Sequence, residues 1–191
     1  MVKAAITGVG GYVPEAILSN KDLEQMVDTT DDWILTRTGI KERRILKEPN
    51  QGCSTLAVRA AQDLIEKKVI DPKSIDLVLV ATITPDYQVA ATAAYVASSI
   101  GATNAFAFDL NAACSGFLYG MSVATGYIQS GRYSRVLFIG ADKMSSIVDY
   151  KDRTTCIIFG DGGGAVLIEP STNQYGWEDE YFRSNGAARE S

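Results

Sequence analysis

The most constraining feature of the sequence is residues 75–82 (IDLVLVAT), a run that is almost continuously apolar. Such a run is typical of a strand that is buried on both faces, as in a parallel sheet covered by helices on each side. Helix-length segments flank it: residues 55–68, in which apolar residues recur at helical spacing, and residues 90–100. The run therefore predicts an α/β chain whose sheet has helices on both faces.

The rest of the chain continues this alternation of strands and helices. Ser19 and Ser54 are predicted to cap the helices that follow them. Further strands are predicted at residues 2–9, 105–110, 135–141, 154–159 and 165–169, and further helices at residues 21–27, 31–36 and 116–130. The polar, turn-rich residues 175–191 are predicted to form a loop. Together these elements predict a parallel or mixed sheet.

Composition excludes several classes of function. The net charge is −5, with 18 basic and 23 acidic residues among 191, which argues against a nucleic-acid partner. The three cysteines have no Cys-x-x-Cys spacing and there is no histidine, so we expect no metal site and reduced thiols. The N-terminus lacks the apolar region of a signal peptide, and no run reaches the roughly 18 apolar residues of a membrane span. We therefore expect a cytoplasmic protein with no membrane partner.

Two glycine-rich segments resemble phosphate-binding loops. Residues 160–165 (GDGGGA) fit the dinucleotide pattern G-x-G-x-x-A, but that pattern needs a helix after it, and residues 165–168 look like a strand. We interpret residues 160–164 as a turn between two strands. Residues 8–11 (GVGG) are expected to lead into a loop before Pro14. Neither segment predicts NAD or ATP binding.

Cys114 stands where the predicted strand 105–110 gives way to the helix 116–130. The free N–H groups at a helix N-terminus favour a thiolate, and the same groups can hold a developing oxyanion. The neighbours Ala112, Ala113, Ser115 and Gly116 are small and leave room for a substrate. Cys114 is therefore a candidate nucleophile, with a buried structural cysteine as the alternative.

These segments together resemble the N-terminal half of the β-ketoacyl-[acyl-carrier-protein] synthase III family, which are thiolase-fold condensing enzymes. The motifs that carry the resemblance are residues 8–14 (GVGGYVP), 31–43 (DDWILTRTGIKER), 112–117 (AACSGF), 152–153 (DR) and 159–162 (FGDG). The resemblance implies half of a thiolase-like fold, with a mixed five-stranded sheet and helices on both faces. Residues 1–170 are then expected to form this half, and residues 171–191 a connecting segment toward a C-terminal half.

The resemblance also implies an activity. Cys114 would take an acyl group from an acyl-CoA and pass it to the carbanion formed when malonyl-acyl carrier protein loses carbon dioxide, a ping-pong reaction that starts fatty acid synthesis. Coenzyme A thioester is implied as a substrate, and no permanently bound cofactor is implied. Trp33 and Arg153 would flank the adenine of coenzyme A, with Thr29 and Arg37 near the nucleotide and its phosphates. Without the resemblance, Trp33 is interpreted as helix-face core and the arginines as solvated surface.

The sequence departs from the family pattern in two ways. The catalytic histidine and asparagine of the family belong to its second half, and these 191 residues contain no histidine. A C-terminal half and a homodimeric assembly are therefore expected partners, besides acyl carrier protein and acyl-CoA. In residues 84–90, a loop that in the family reaches into the acyl pocket of the partner copy, Val89 stands where an aromatic residue commonly closes that pocket. Val89 predicts a longer or branched primer.

Two alternatives to this interpretation stay open. The first is another acyltransferase of the thiolase superfamily that uses a non-acetyl primer. The second is a non-catalytic half-domain that serves as a scaffold.

Overall fold

A mixed five-stranded sheet organises the computed structural model, which describes residues 2–171, 173 and 175–187. In chain order the strands are β1 (Ala4–Tyr12), β2 (Ile17–Ser19), β3 (Glu42–Arg44), β4 (Leu77–Ala81), β5 (Phe106–Leu110), β6 (Val136–Lys143) and β7 (Asp161–Pro170). The helices are α1 (Asn20–Leu23), α2 (Asp31–Thr38), α3 (Cys53–Lys68), α4 (Thr92–Ile100) and α5 (Gly116–Gln129).

The strand order of the large sheet is β1-β7-β6-β4-β5. Strands β6, β4 and β5 are parallel, whereas β7 pairs antiparallel with both β1 and β6. All five residues of β4 are buried, as the apolar run predicts. The predicted mixed five-stranded sheet is confirmed.

Helices cover both faces of this sheet, as predicted. Successive side chains of a strand point to opposite faces, so each strand contributes to two cores. On one face Val78 and Val80 of β4 pack with residues of α3 and α4. On the other face Leu77 and Leu79 pack with Met121 and other residues of α5.

A third, smaller core lies beside the sheet. Strands β2 and β3 pair antiparallel, and α1 and α2 pack with them around buried Leu23 and Ile34. Ser19 caps α1 as predicted, through a capping box with Asp22. Helix α1 ends at Leu23, which is earlier than the predicted Val27.

The glycine-rich segments differ from the prediction. Residues 154–159 form turns rather than a strand, and residues 162–164 lie inside β7 rather than in a turn between two strands. Residues 8–11 likewise lie inside β1. These strand positions are glycines because α3 packs closely on them. A Cβ at Gly163 would lie 2.8 Å from the carbonyl oxygen of Leu56, and one at Gly10 would lie 2.5 Å from the backbone N of Leu64.

Ser54 does not cap α3. The helix begins one residue earlier, at Cys53, and its N-cap is Gly52. The carboxylate of Asp86 accepts the Ser54 amide at 3.3 Å, so a side chain from a distant loop replaces the local cap. A Cβ at position 52 would lie 2.0 Å from that carboxylate, which explains the glycine.

The described residues after β7 return along the first strand and the last helix. The Trp177 amide donates to the Ala4 carbonyl at 2.8 Å, and the Tyr119 and Phe182 rings lie 4.8 Å apart. The assignment of residues 171–191 to a connecting segment stays a prediction, and residues 188–191 lie outside the described residues.

Two glycines of α5 provide a matched test of this packing. A Cβ at Gly120 would lie 2.1 Å from the buried ring of Phe138, whereas a Cβ at Gly126 meets nothing within 4 Å. We expect Gly120→Ala to lower the free energy of unfolding by about 1–3 kcal/mol. We expect Gly126→Ala to raise it by about 0.5–1 kcal/mol, because it removes a flexible residue from a helix. Urea unfolding of each single variant beside the parent protein measures the two free energies of unfolding. Equal changes in the two variants would contradict the close approach of α5 to β6.

Candidate active site

Cys114 lies in a short turn between β5 and α5. A 3-10 turn over Ala113–Ser115 leads directly into α5, as the sequence predicts, and the cysteine is exposed. Ala113 has a φ of 46°, in the left-handed region that side chains rarely adopt. Such a conformation costs about 1–2 kcal/mol for a residue with a Cβ. The turn therefore holds the thiol at the surface in a conformation maintained by the surrounding packing.

The strand that precedes this turn is anchored through Asp109. Its two carboxylate oxygens accept the backbone amides of Thr92 and Ala93, each at 2.7 Å. These amides belong to the first turn of α4, where free N–H groups favour a negative charge. The end of β5, and with it the start of the cysteine turn, is thus fixed to α4.

The carboxyl ends of the three parallel strands meet at the same edge of the sheet. The Thr82 amide, just after β4, donates to the carbonyl of Leu110 at the end of β5. Asp142, near the end of β6, accepts the Thr82 hydroxyl at 2.9 Å and the Ile83 amide at 2.8 Å. In α/β sheets this edge is the usual place for ligands. Cys114 follows β5 at this edge.

The other two cysteines are buried. Burial raises the pKa of Cys53 to about 12, and its thiol donates to the Ala141 carbonyl at 3.0 Å. Burial, followed by the nearby Asp152, raises the pKa of Cys156. Both thiols are kept neutral and away from solvent, so Cys114 is the accessible thiol of the three.

A second group of predicted residues gathers around Trp33. Trp33 is the third residue of α2, and Arg37 lies one turn later, with its Cζ atom 4.4 Å from the centre of the indole ring. Arg153 arrives from a distant turn, and its Cζ atom lies 5.0 Å from the same centre. We refer to these three residues as the Trp33 cluster. Both distances are those of cation–π contacts.

The Trp33 cluster leaves no gap for a flat ring as it stands. Stacking a ring between an indole and a guanidinium takes about 7 Å, two separations of about 3.5 Å. Arg153 lies at 5.0 Å, so its guanidinium would move outward by about 2 Å to admit a ring.

Thr29 lies beside this cluster. Arg153 donates to the carbonyl of its neighbour Asp28 at 3.0 Å. The Thr29 hydroxyl is buried and has no hydrogen-bond partner among the described residues. The four residues that the resemblance assigns to coenzyme A are thus in one region of the structure.

Val89 is placed differently. It is 99% exposed in the loop between β4 and α4, so it closes no pocket within this chain. Its predicted role in an acyl pocket of a partner copy stays a prediction.

The described residues contain no group of three or more acidic, cysteine or histidine side chains that could hold a metal ion. None of their helices has both the length and the apolar character needed to cross a membrane.

Comparison with known proteins connects this geometry to a family. The 3-oxoacyl-[acyl-carrier-protein] synthase III family profile matches residues 108–186, a range that includes the cysteine turn and Arg153. The chain is 53% identical over 185 residues to β-ketoacyl-[acyl-carrier-protein] synthase III 2 of Bacteroides thetaiotaomicron, covering 97% of this chain and 55% of that protein. It is 51% identical over 189 residues to the synthase III of Porphyromonas gingivalis, covering 99% and 56%.

Over nearly its whole length, the chain is similar to β-ketoacyl-[acyl-carrier-protein] synthase III proteins. It spans about half the length of the curated relatives it matches. The crystal structure of 3-oxoacyl-[acyl-carrier-protein] synthase III from Aquifex aeolicus matches with a TM-score of 0.85 and 44% identity, over 91% of this chain and 55% of that one. The priming β-ketosynthase of the R1128 polyketide pathway matches with a TM-score of 0.84 and 38% identity, over 88% and 50%. The predicted thiolase-like fold is confirmed.

Several residues that hold this candidate site in place are not evident from the sequence. Asp109 and Asp142 follow apolar strand runs, and a carboxylate at a strand end is a signal that could have singled them out. Arg43 and Asn20 gave no such signal, because their burial depends on residues distant in the chain. Each of the four holds the backbone of a segment that carries a predicted site residue.

Proposed function

We propose that this chain is the nucleophile-bearing half of an acyltransferase of the synthase III type. The enzyme condenses an acyl-CoA primer with malonyl-acyl carrier protein, with loss of carbon dioxide, and so starts fatty acid synthesis. The observation that carries the proposal is the exposed Cys114 in a strained turn that leads directly into α5. The identity to synthase III relatives supports it over nearly the whole chain.

The proposed reaction has two halves. In the first, the Cys114 thiolate attacks the thioester carbonyl, and the acyl group passes to the sulfur while coenzyme A leaves as its thiol. The Cys114 amide contributes one donor to the oxyanion that forms. In the second, malonyl-acyl carrier protein loses carbon dioxide, and the resulting carbanion attacks acyl-Cys114 and releases the thiolate. No permanently bound cofactor takes part.

Coenzyme A is proposed to bind with its nucleotide at the Trp33 cluster. An indole and a guanidinium stack on a purine, and the paired donors of Arg37 and Arg153 suit phosphates. The contacts of both arginines with Trp33, and the unpartnered hydroxyl of Thr29, support this placement.

The remaining machinery is proposed to come from other polypeptide segments. A C-terminal half supplies the histidine and asparagine that the resemblance implies. The unit forms a homodimer in which β5, an edge strand of this sheet, pairs with its counterpart. Its location is proposed to be the cytoplasm.

A second candidate is a priming synthase that uses a non-acetyl starter. The similarity to a priming β-ketosynthase of a polyketide pathway favours it, as does Val89. The identity of the preferred primer separates the two candidates.

The first test concerns Cys114. Incubation of the complete enzyme, both halves present, with acyl-CoA is expected to acylate Cys114 and leave the buried Cys53 and Cys156 unmodified, as mapped by peptide mass. Cys114→Ser is expected to abolish condensation, because a hydroxyl ionises far less readily than a thiol. Cys156→Ala is the control and retains activity. Full condensation by Cys114→Ser would contradict the mechanism, whereas no label on Cys114 together with no condensation by the parent enzyme would favour the scaffold.

The second test concerns the arginines of the Trp33 cluster. Arg37→Ala and Arg153→Ala are expected to raise the KM for acyl-CoA by about tenfold, with a smaller effect on kcat, because they remove binding contacts that persist through the reaction. Steady-state kinetics of the complete enzyme measures both constants. A collapse of kcat at unchanged KM would place these arginines at the reacting centre instead.

The third test concerns Val89. Replacing Val89 by Phe is expected to shift the preference toward acetyl-CoA, because a larger side chain shortens the acyl pocket of the partner copy. Relative kcat/KM for primers of increasing length measures this in the parent and the variant, with Tyr87→Phe, another exposed residue of the same loop, as control. An unchanged profile, or a monomer in sedimentation velocity, would refute the role across the dimer.

A further inference from the structure

A buried arginine lies between the two segments that carry the Trp33 cluster. Arg43, the middle residue of β3, is 3% exposed. Its Nε donates to the carbonyl of Ile157 at 3.0 Å, its Nη2 donates to the same oxygen, and its Nη1 donates to the side-chain oxygen of Asn20. None of the ion pairs among the described residues includes Arg43. Its charge is therefore stabilised by neutral acceptors that two distant segments provide.

One of these acceptors controls the helix that carries Trp33 and Arg37. The Asn20 side chain is 1% exposed, and its Nδ2 donates to the Asp31 carboxylate at 2.7 Å and to the Ile40 carbonyl at 2.9 Å. Asp31 is the first residue of α2, and Ile40 lies just beyond its end. A single amide thus holds both ends of α2, and its oxygen is held by the buried arginine.

The other acceptor controls the turn that carries Arg153. Ile157 is buried, four residues further along the chain. The amide of Cys156 donates to the Asp152 carbonyl at 3.1 Å, and the Asp152 carboxylate accepts the Thr154 amide at 2.9 Å. The turn is therefore compact, and fixing Ile157 fixes the base from which Arg153 extends.

We propose that Arg43 is a positioning residue for the Trp33 cluster. By holding Asn20 and Ile157 at once, it sets the distance between the indole of Trp33 and the guanidinium of Arg153, and so controls affinity for the nucleotide end of coenzyme A. Arg43 itself contacts no ligand, since it is buried. This inference rests on the proposed function.

The test separates the nucleotide from the thiol arm. In the complete enzyme carrying Cys114→Ser, calorimetry measures the Kd of coenzyme A and of 4′-phosphopantetheine, which has the same arm without the nucleotide. Arg43→Gln is expected to weaken coenzyme A binding about tenfold and to leave phosphopantetheine within about twofold. Arg59→Gln is the matched control. This arginine also stacks on an aromatic ring, that of Tyr12, but it lies outside the cluster, and the ratio of the two affinities is expected to stay unchanged.

A double-mutant cycle with Arg153→Ala identifies the route of the effect. If Arg43 acts through Arg153, the double variant binds coenzyme A with almost the same affinity as Arg153→Ala alone. Should Arg43→Gln fail to fold, Arg43→Lys takes its place, because it keeps the charge and loses the paired donors.

Four results would overturn the inference. Equal weakening of both ligands would mean a general structural role, and additive effects would mean that Arg43 acts independently of Arg153. Unchanged coenzyme A affinity in Arg153→Ala would refute the nucleotide site of the proposed function, and the positioning role with it. A clear loss in Arg153→Ala with none in Arg43→Gln would refute the positioning role alone.

Discussion

The burial of β4 on both faces is the constraint on which the rest of the structure depends. All five of its residues are removed from water, which requires helices on each side, and both of its neighbours, β5 and β6, run parallel to it. Parallel neighbours in turn bring three strand ends to one edge of the sheet. The cysteine turn and the bonds of Asp142 lie there because the connections from these strands begin at that edge.

Close approach of helices to the sheet sets the precision of this arrangement. Gly10 and Gly163 let α3 approach two antiparallel strands, and Gly120 lets α5 approach β6 across the ring of Phe138. With a helix held so near the sheet, the turn that precedes α5 has little freedom. The left-handed Ala113 is the local expression of that restriction.

The sequence predicts those features of the structure that depend on residues close together in the chain. The apolar run of β4, the capping box at Ser19 and the strand-to-helix position of Cys114 follow from residue order alone. The glycines of β7 do not, because turn glycines and packing glycines look alike until the helix that lies on them is known. The prediction that Ser54 caps α3 is wrong for a related reason, since the carboxylate that accepts the Ser54 amide belongs to Asp86, in another part of the chain.

The burial of a charged residue is likewise not predictable from its neighbours in the sequence. An arginine is ordinarily assigned to the surface, and nothing next to Arg43 in the sequence marks it as buried. Its acceptors lie 23 and 114 positions away. Only the third core, which joins α1, α2 and the turn near Cys156, brings them together.

The contact between Arg153 and Trp33 has a consequence for how any flat molecule enters there. The guanidinium of Arg153 already contacts the Trp33 ring, so a flat ligand that binds there replaces one stacking partner of the indole by another. The net gain is the difference between two contacts, and the arginine released from the indole also gives up its bond to the Asp28 carbonyl. A ligand that offers the displaced guanidinium a phosphate compensates for that loss, whereas an uncharged ring of the same size does not. Arg153 thus competes with every flat ligand for the Trp33 ring, and it favours those ligands that carry a phosphate for its guanidinium.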